Sequence, residues 1–155
     1  MIRILLLVLL LSGCAHGERS AVTGQVTDVA TTAVGLGISG VAEANPLGLL
    51  ILPAKIIAHH RISLAPDEIQ PGLWGIYGAV GWGASANNVC VIASVLSAGG
   101  FSLACPVVGL VTGLGYWRAG KSERERATFV ALCEREKLTH PDLVCSYTPA
   151  GTTTN

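Results

Sequence analysis

Two charges stand where charge is costly. Asp28 and Lys55 lie inside otherwise apolar segments, and a charged side chain in a membrane-type segment is expected to face a partner or a cavity. Counted from a turn near Glu43, they lie 15 and 12 residues away, or about 22 and 18 Å at 1.5 Å per helical residue. Antiparallel helices would bring them to similar depth, which predicts an ion pair. Thr31 and Thr32, one turn beyond Asp28, share its helical face and could hydrogen-bond the carboxylate. Asn87 and Asn88 supply amides of the kind that bond between membrane helices. With Glu43 and Asn45 these residues make an intramembrane polar cluster. It is either a buried clasp that sets helix packing or a site for a proton or an ion.

Other reactive side chains are sparse. His59 and His60 are adjacent and point about 100° apart on a helix, so they make poor joint metal ligands and read as a solvated helix end. No Ser-His-Asp order, phosphate-cradling glycine loop or CxxC pair occurs. The sequence therefore predicts a protein that is not an enzyme, with no catalytic residue, metal or cofactor. Cys133 and Cys145 would close a loop of about 13 residues, worth about 3 kcal/mol in the chain-entropy model, if their compartment is oxidising. Two unpaired thiols are the alternative. Cys90 and Cys105 sit in apolar runs and read as small buried hydrophobes.

The elements that must carry these residues are apolar helices. Half of the 155 residues are hydrophobic and 13% are charged, about half the charge of an ordinary soluble domain. Zero formal net charge and the absence of a basic stripe give no argument for nucleic acid. The first helix is expected over 21–40, with glycines suited to close helix contact. Asn45 as N-cap and Pro46 at the first helical position open a second helix over 46–64, which Pro53 would kink. Residues 65–71, APDEIQP, form a loop. From 69 to 117 there is no Lys, Arg, Asp, Glu or His, a stretch of about 49 residues where two spans need about 40.

The break at Ala98-Gly99-Gly100 divides that stretch into helices over 72–97 and 101–117. Trp74 and Tyr77 at one end and Tyr116 and Trp117 at the other suit interfacial belts, which Trp82 fits less well. Gly72, Gly75, Gly78 and Gly81 recur every three residues, either as a packing stripe or simply as the glycine enrichment of membrane helices. Beyond Arg118 the composition turns charged and amphipathic, with Ser122 and Glu125 spaced as a capping box. The expected fold is all-α, with about four apolar transmembrane-type helices, a short amphipathic C-terminal helix and a flexible tail.

The first residues, MIRILLLVLLLSGC, follow signal-peptide grammar: one basic residue, an apolar run too short to span, then small residues before a cysteine. Leu11-Ser12-Gly13-Cys14 resembles the lipobox of bacterial lipoproteins. That resemblance implies cleavage before Cys14 and lipidation of its thiol, leaving 1–13 as signal peptide and 14–20 as a lipidated link. More than one acyl chain gives stable anchoring. Asp28-x-x-Thr31-Thr32, Glu43-x-Asn45-Pro46, Lys55 and Asn87-Asn88 resemble a small bacterial and phage membrane-protein family of unknown function, over roughly 26–97. The resemblance implies a helical membrane fold and carries no activity.

A lipidated Cys14 would put the start of the helical region outside the cytoplasm, and four spans would return the tail to the same side. The basic residues Arg19, Arg61, Arg118, Lys121, Arg124 and Arg126 would then all lie outside, against the positive-inside tendency. The functional expectation is a non-enzymatic envelope lipoprotein, structural or partner-binding. Its partners would be the bilayer and, through the C-terminal tail, another envelope protein. The alternatives are a small transporter or channel component using Asp28 and Lys55, and a phage-encoded lysis or superinfection-exclusion factor.

Overall fold

The computed structural model describes residues 17–38, 51–97 and 102–148. Cys14, Glu43, Asn45 and the expected helix start at Pro46 lie outside the described residues. Among the described residues five helices run in order: α1 (Glu18–Leu36), α2 (Ile51–Ser63), α3 (Gln70–Leu96), α4 (Cys105–Ala119) and α5 (Lys121–Glu136), with a 3₁₀ turn at Ser102–Ala104 before α4. The described residues are all helix, turn and loop, so the all-α expectation holds. Pro71 and Pro106 stand in the first turns of α3 and α4, where a missing N–H leaves no ladder bond broken. Pro53 falls in the first described turn of α2.

The expectation of about four transmembrane-type helices is corrected. Among the described residues one helix, Gln70–Leu96, is long and apolar enough to cross a membrane. The reasons are length and polarity. The 15 residues of α4 reach about 22 Å, short of a hydrocarbon core of about 30 Å, and α2 is described only from Ile51 onward. The 19 residues of α1 are long enough, but Gln25, Asp28 and the threonines make it too polar.

α3 is the axis of the bundle. α1 runs parallel to it, since Gly24 meets Gly81 and Asp28 meets Asn88. α2 and α4 run antiparallel: Lys55 lies beside Tyr77, and Gly109 and Gly113 lie against Gly83. The glycine stripe takes its meaning from this arrangement. A spacing of three residues rotates each position by about 60° around a helix of 3.6 residues per turn. Gly75 therefore lies under Arg124 and Trp117, Gly78 under Tyr116, and Gly81 against the α1 backbone, while a side chain at Gly72 would meet open space.

Among the described residues the buried side chains are small, polar or aromatic, with Ile62 the one large aliphatic among them, while most aliphatic side chains are exposed. Ser20, Gln25, Asp28, Ser85 and Ser94 are buried, whereas Ile56, Ile76, Val80, Val107 and Leu110 are each more than half exposed. Trp82, which suits an interfacial belt poorly, is buried with its ring over Gly24, and its Nε1 donates to Ser20 O at 3.2 Å. The aromatic residues from both ends of the charge-free stretch gather together in the fold. The antiparallel α3–α4 hairpin brings Trp74, Tyr77, Tyr116 and Trp117 to one end, where Trp74 and Tyr116 are buried.

The same end carries the charge. Arg19 opens α1, Arg61 closes α2, Arg118 closes α4 and Lys121 opens α5. Past the level of Asp28 and Lys55 toward the other end, the described residues carry no charge. Gly120 links α4 to α5, and as N-cap it makes no side-chain bond. The capping box expected at Ser122 is thus not formed, because α5 starts a residue earlier and places Ser122 within its first turn. Arg124 folds back over Gly75, stacks on the Trp117 face at 3.8 Å and donates to Trp117 O. Burial pushes its guanidinium below its ordinary pKa, opposed by the nearby Tyr116 and Glu125.

Both ends of the bundle are stapled. Cys133 and Cys145 are joined with Cα atoms 6.2 Å apart, and Phe129 packs on Tyr147 at 5.6 Å between ring centroids. Cys90 and Cys105 are joined too, with Cα atoms 5.3 Å apart. This corrects their reading as unpaired hydrophobes. Apolar flanks describe only the surroundings of each cysteine, whereas the hairpin decides that they meet. Replacing Cys133 and Cys145 together with serine is expected to release the tail from α5, at a cost of about 3 kcal/mol for a loop of this size. Limited proteolysis with and without reductant should show new cleavage within 137–148 in the variant.

Candidate functional site

α1 presents a stripe of small and polar residues, Ala21, Gly24, Gln25, Asp28, Thr31 and Thr32, at helical spacing. α3 answers with Gly81, Ser85 and Asn88 at intervals of four and three. The backbones approach closely because both sides lack bulk: a Cβ on Gly81 would sit 2.7 Å from Gln25 N and from Gly24 C. Polar rungs then join the pair. Gln25 Nε2 donates to Tyr77 O, and Ser85 Oγ lies within donating distance of Gly24 O (3.1 Å) and Gly81 O (2.8 Å).

The last rung is the polar cluster. Lys55 Nζ from α2 pairs with Asp28 Oδ2, and Asn88 Nδ2 from α3 donates to Asp28 Oδ1 at 2.7 Å. Each carboxylate oxygen thus has its own donor, and three helices meet at one side chain. The side chains of Lys55 and Asp28 are 12% and 10% exposed, so this is a buried pair rather than a solvent-screened surface bridge. Tyr77 completes the frame by donating its OH to Lys55 O at 3.0 Å.

The threonines act differently from expectation. Thr31 Oγ1 donates to backbone oxygens of its own helix, at Thr27 and Asp28, because a helical threonine reaches the preceding turn more easily than a neighbouring side chain. Thr31 and Thr32 instead accept from Asn88 Nδ2, at 3.3 and 2.9 Å. Asn87 lies round the helix from Asn88. It lines an adjoining cavity of about 240 Å³ with Asp28, Thr32, Lys55 and aliphatic side chains of α1 and α2. That volume has room for no more than a few water-sized groups and falls below the range of about 300–1,000 Å³ typical of small-molecule pockets.

Among the described residues, no group of three or more His, Cys, Asp or Glu is placed to hold a metal. His59 packs its ring on Trp74 and Tyr77, at 5.3 and 6.4 Å between centroids, instead of standing free at a solvated helix end. Gln25, Tyr77, Trp82 and Ser85 are site residues that the sequence reading passed over. Their signal was the recurrence of small and polar positions on α1 and α3 at matching helical intervals. Comparison with protein-family models, curated proteins and solved structures found no match to this chain.

Asn88 is the one donor that ties Asp28 to the axial helix. Its change to alanine is expected to cost about 2 kcal/mol, the range for a hydrogen bond to a charged group. Thermal unfolding in detergent micelles, followed by circular dichroism, would register the loss.

Proposed function

We propose that this chain is a non-enzymatic, lipid-anchored helical protein of the bacterial envelope, in which α3 sits in the bilayer and α5 with its stapled tail meets water and a partner protein. The observation that carries the membrane reading is the distribution of burial: small, polar and aromatic side chains fill the interior while nearly all aliphatic ones face outward. In water so many exposed aliphatic side chains would leave apolar surface unburied, at a cost that rises with its area. In lipid it is the ordinary solution, because glycine and serine contacts drive helix association there. The resemblance of residues 11–14 to a lipobox supplies the anchor, and that of Asp28, Thr31, Thr32, Lys55, Asn87 and Asn88 to the small membrane-protein family agrees with the helical setting.

The test is mass spectrometry of the mature N-terminus, with and without an inhibitor of signal peptidase II. The expected product starts at acylated Cys14 and reverts to the full precursor under inhibition. An unmodified Met1 in both samples would remove the anchor.

A second reading, a transporter or channel component, is favoured by the cavity beside Asp28 and Lys55. The double change Asp28→Asn with Lys55→Met separates the two. An ion path would lose flux while the double variant stays folded, whereas a clasp would show its stability loss in the single variants and have no flux to lose.

A further inference from the structure

We infer that the bilayer holding this bundle has no cytoplasmic face, so that both ends of the bundle meet oxidising compartments. The inference rests on the membrane reading above and deepens it by naming the kind of membrane. It starts from two disulfides at opposite ends. Cys133–Cys145 lies at the charged end, in α5 and the tail. Cys90–Cys105 lies at the other end: Cys105 is the first residue of α4, and Cys90 precedes the end of α3 at Leu96 by about 9 Å at 1.5 Å per residue.

In a cytoplasmic membrane one end of such a bundle faces reducing thiol pools, where structural disulfides are rare. With the charged end inward, as the positive-inside tendency would set it, the Cys133–Cys145 bridge faces the reductant. With the bundle turned over, the Cys90–Cys105 end does, and the orientation also violates that tendency. In neither orientation would both bridges form, because the thiols on the cytoplasmic side meet no oxidant. A bilayer bounded on both sides by oxidising space keeps both, and there the Lys and Arg bias has no cytoplasmic side to report. The one-sided charge and the lipidated start of the helical region then cease to conflict.

The chemistry adds an order of events. Forming each bridge removes two protons and two electrons from a pair of thiols, and the disulfide of an envelope thiol oxidase accepts them and becomes a dithiol. In the finished bundle Cys105 is fully buried, beside Ser94 at 1% exposure, out of reach of such an enzyme. Cys90 is the more accessible of the two, so it forms the mixed disulfide with the oxidase, and Cys105 then attacks Cys90 Sγ and releases the enzyme as a dithiol.

The test uses the full-length protein in a bacterial host with two membranes. Cells are acid-quenched, denatured and alkylated with N-ethylmaleimide with or without prior reduction, and the cysteine peptides are weighed. In parallel the envelope is separated on a density gradient. The expected result is no label on Cys90, Cys105, Cys133 or Cys145 without reductant, label on all four after it, and banding with the outer membrane. Label confined to one pair, or banding with the cytoplasmic membrane, overturns the inference. Label on all four without reductant overturns it and places the chain in a reducing compartment. Recovery in an aqueous carbonate extract would instead remove the underlying membrane reading, whatever the state of the thiols.

Discussion

Changing Lys55 to methionine should lower stability by about 3–5 kcal/mol, the cost of leaving one member of a buried ion pair uncompensated. The size follows from Asp28, which keeps its donor from Asn88 but loses the cation at its other oxygen. The double variant Asp28→Asn with Lys55→Met should recover much of the loss, because replacing both members removes the stranded charge. A double-mutant cycle on thermal or denaturant unfolding in micelles measures the coupling. Additive effects of the two single changes would mean that Asp28 and Lys55 do not act as a pair. The cycle also guards against confusing loss of charge with loss of packing by the Lys55 stem.

The second large effect concerns helix approach. Gly81→Leu should prevent α1 from docking, since even its Cβ would lie 2.7 Å from the α1 backbone. Gly83 meets the same limit on the other side of α3, where a Cβ would stand 2.8 Å from Gly109 O. In both places the obstacle is backbone, which cannot rotate aside as a flexible side chain does. A cost of about 3 kcal/mol or more is expected for either change, at or above the upper end of overpacking penalties. Gly72→Ala is the matched control, because nothing lies within contact of the added carbon. It should be neutral to stabilising, since alanine favours the helix by about 1 kcal/mol over glycine. Equal effects at Gly72 and Gly81 would show that helix propensity, not contact, governs the series.

Much of this was legible in the sequence, and the gaps have particular causes. Helix positions came from composition and punctuation: the charge-free run, the Ala98-Gly99-Gly100 break and the charged segment after Arg118. The Asp28–Lys55 pair came from depth counting, which works because helical rise is constant. The number of spans failed because apolar runs were counted from residue to residue. In the fold α4 begins only at Cys105, leaving 15 residues from a run that had suggested more. The threonine roles failed because spacing identifies a shared face but cannot say which hydroxyl the nearer backbone captures. The Cys90–Cys105 bridge was hidden for a similar reason, since it depends on the angle at which two helices close and no local pattern encodes that angle. The buried place of Trp82 was foreshadowed only by its poor fit to a belt.

The parallel course of α1 and α3 carries a consequence for biosynthesis. A helix cannot pair in parallel with its neighbour across a short turn, so α1 waits for α2 to return and α3 to follow. Asp28 and its partner Asn88 are 60 residues apart in the chain. At about 5–20 residues per second of synthesis, some 3–12 seconds pass before the second donor exists. During that interval the Asp28 carboxylate has at most Lys55 as a partner and the polar stripe of α1 is unmated, a segment ill suited to entering lipid alone. Insertion is therefore expected to be post-translational or delayed, with α1 entering the apolar phase only when α2 and α3 can go with it.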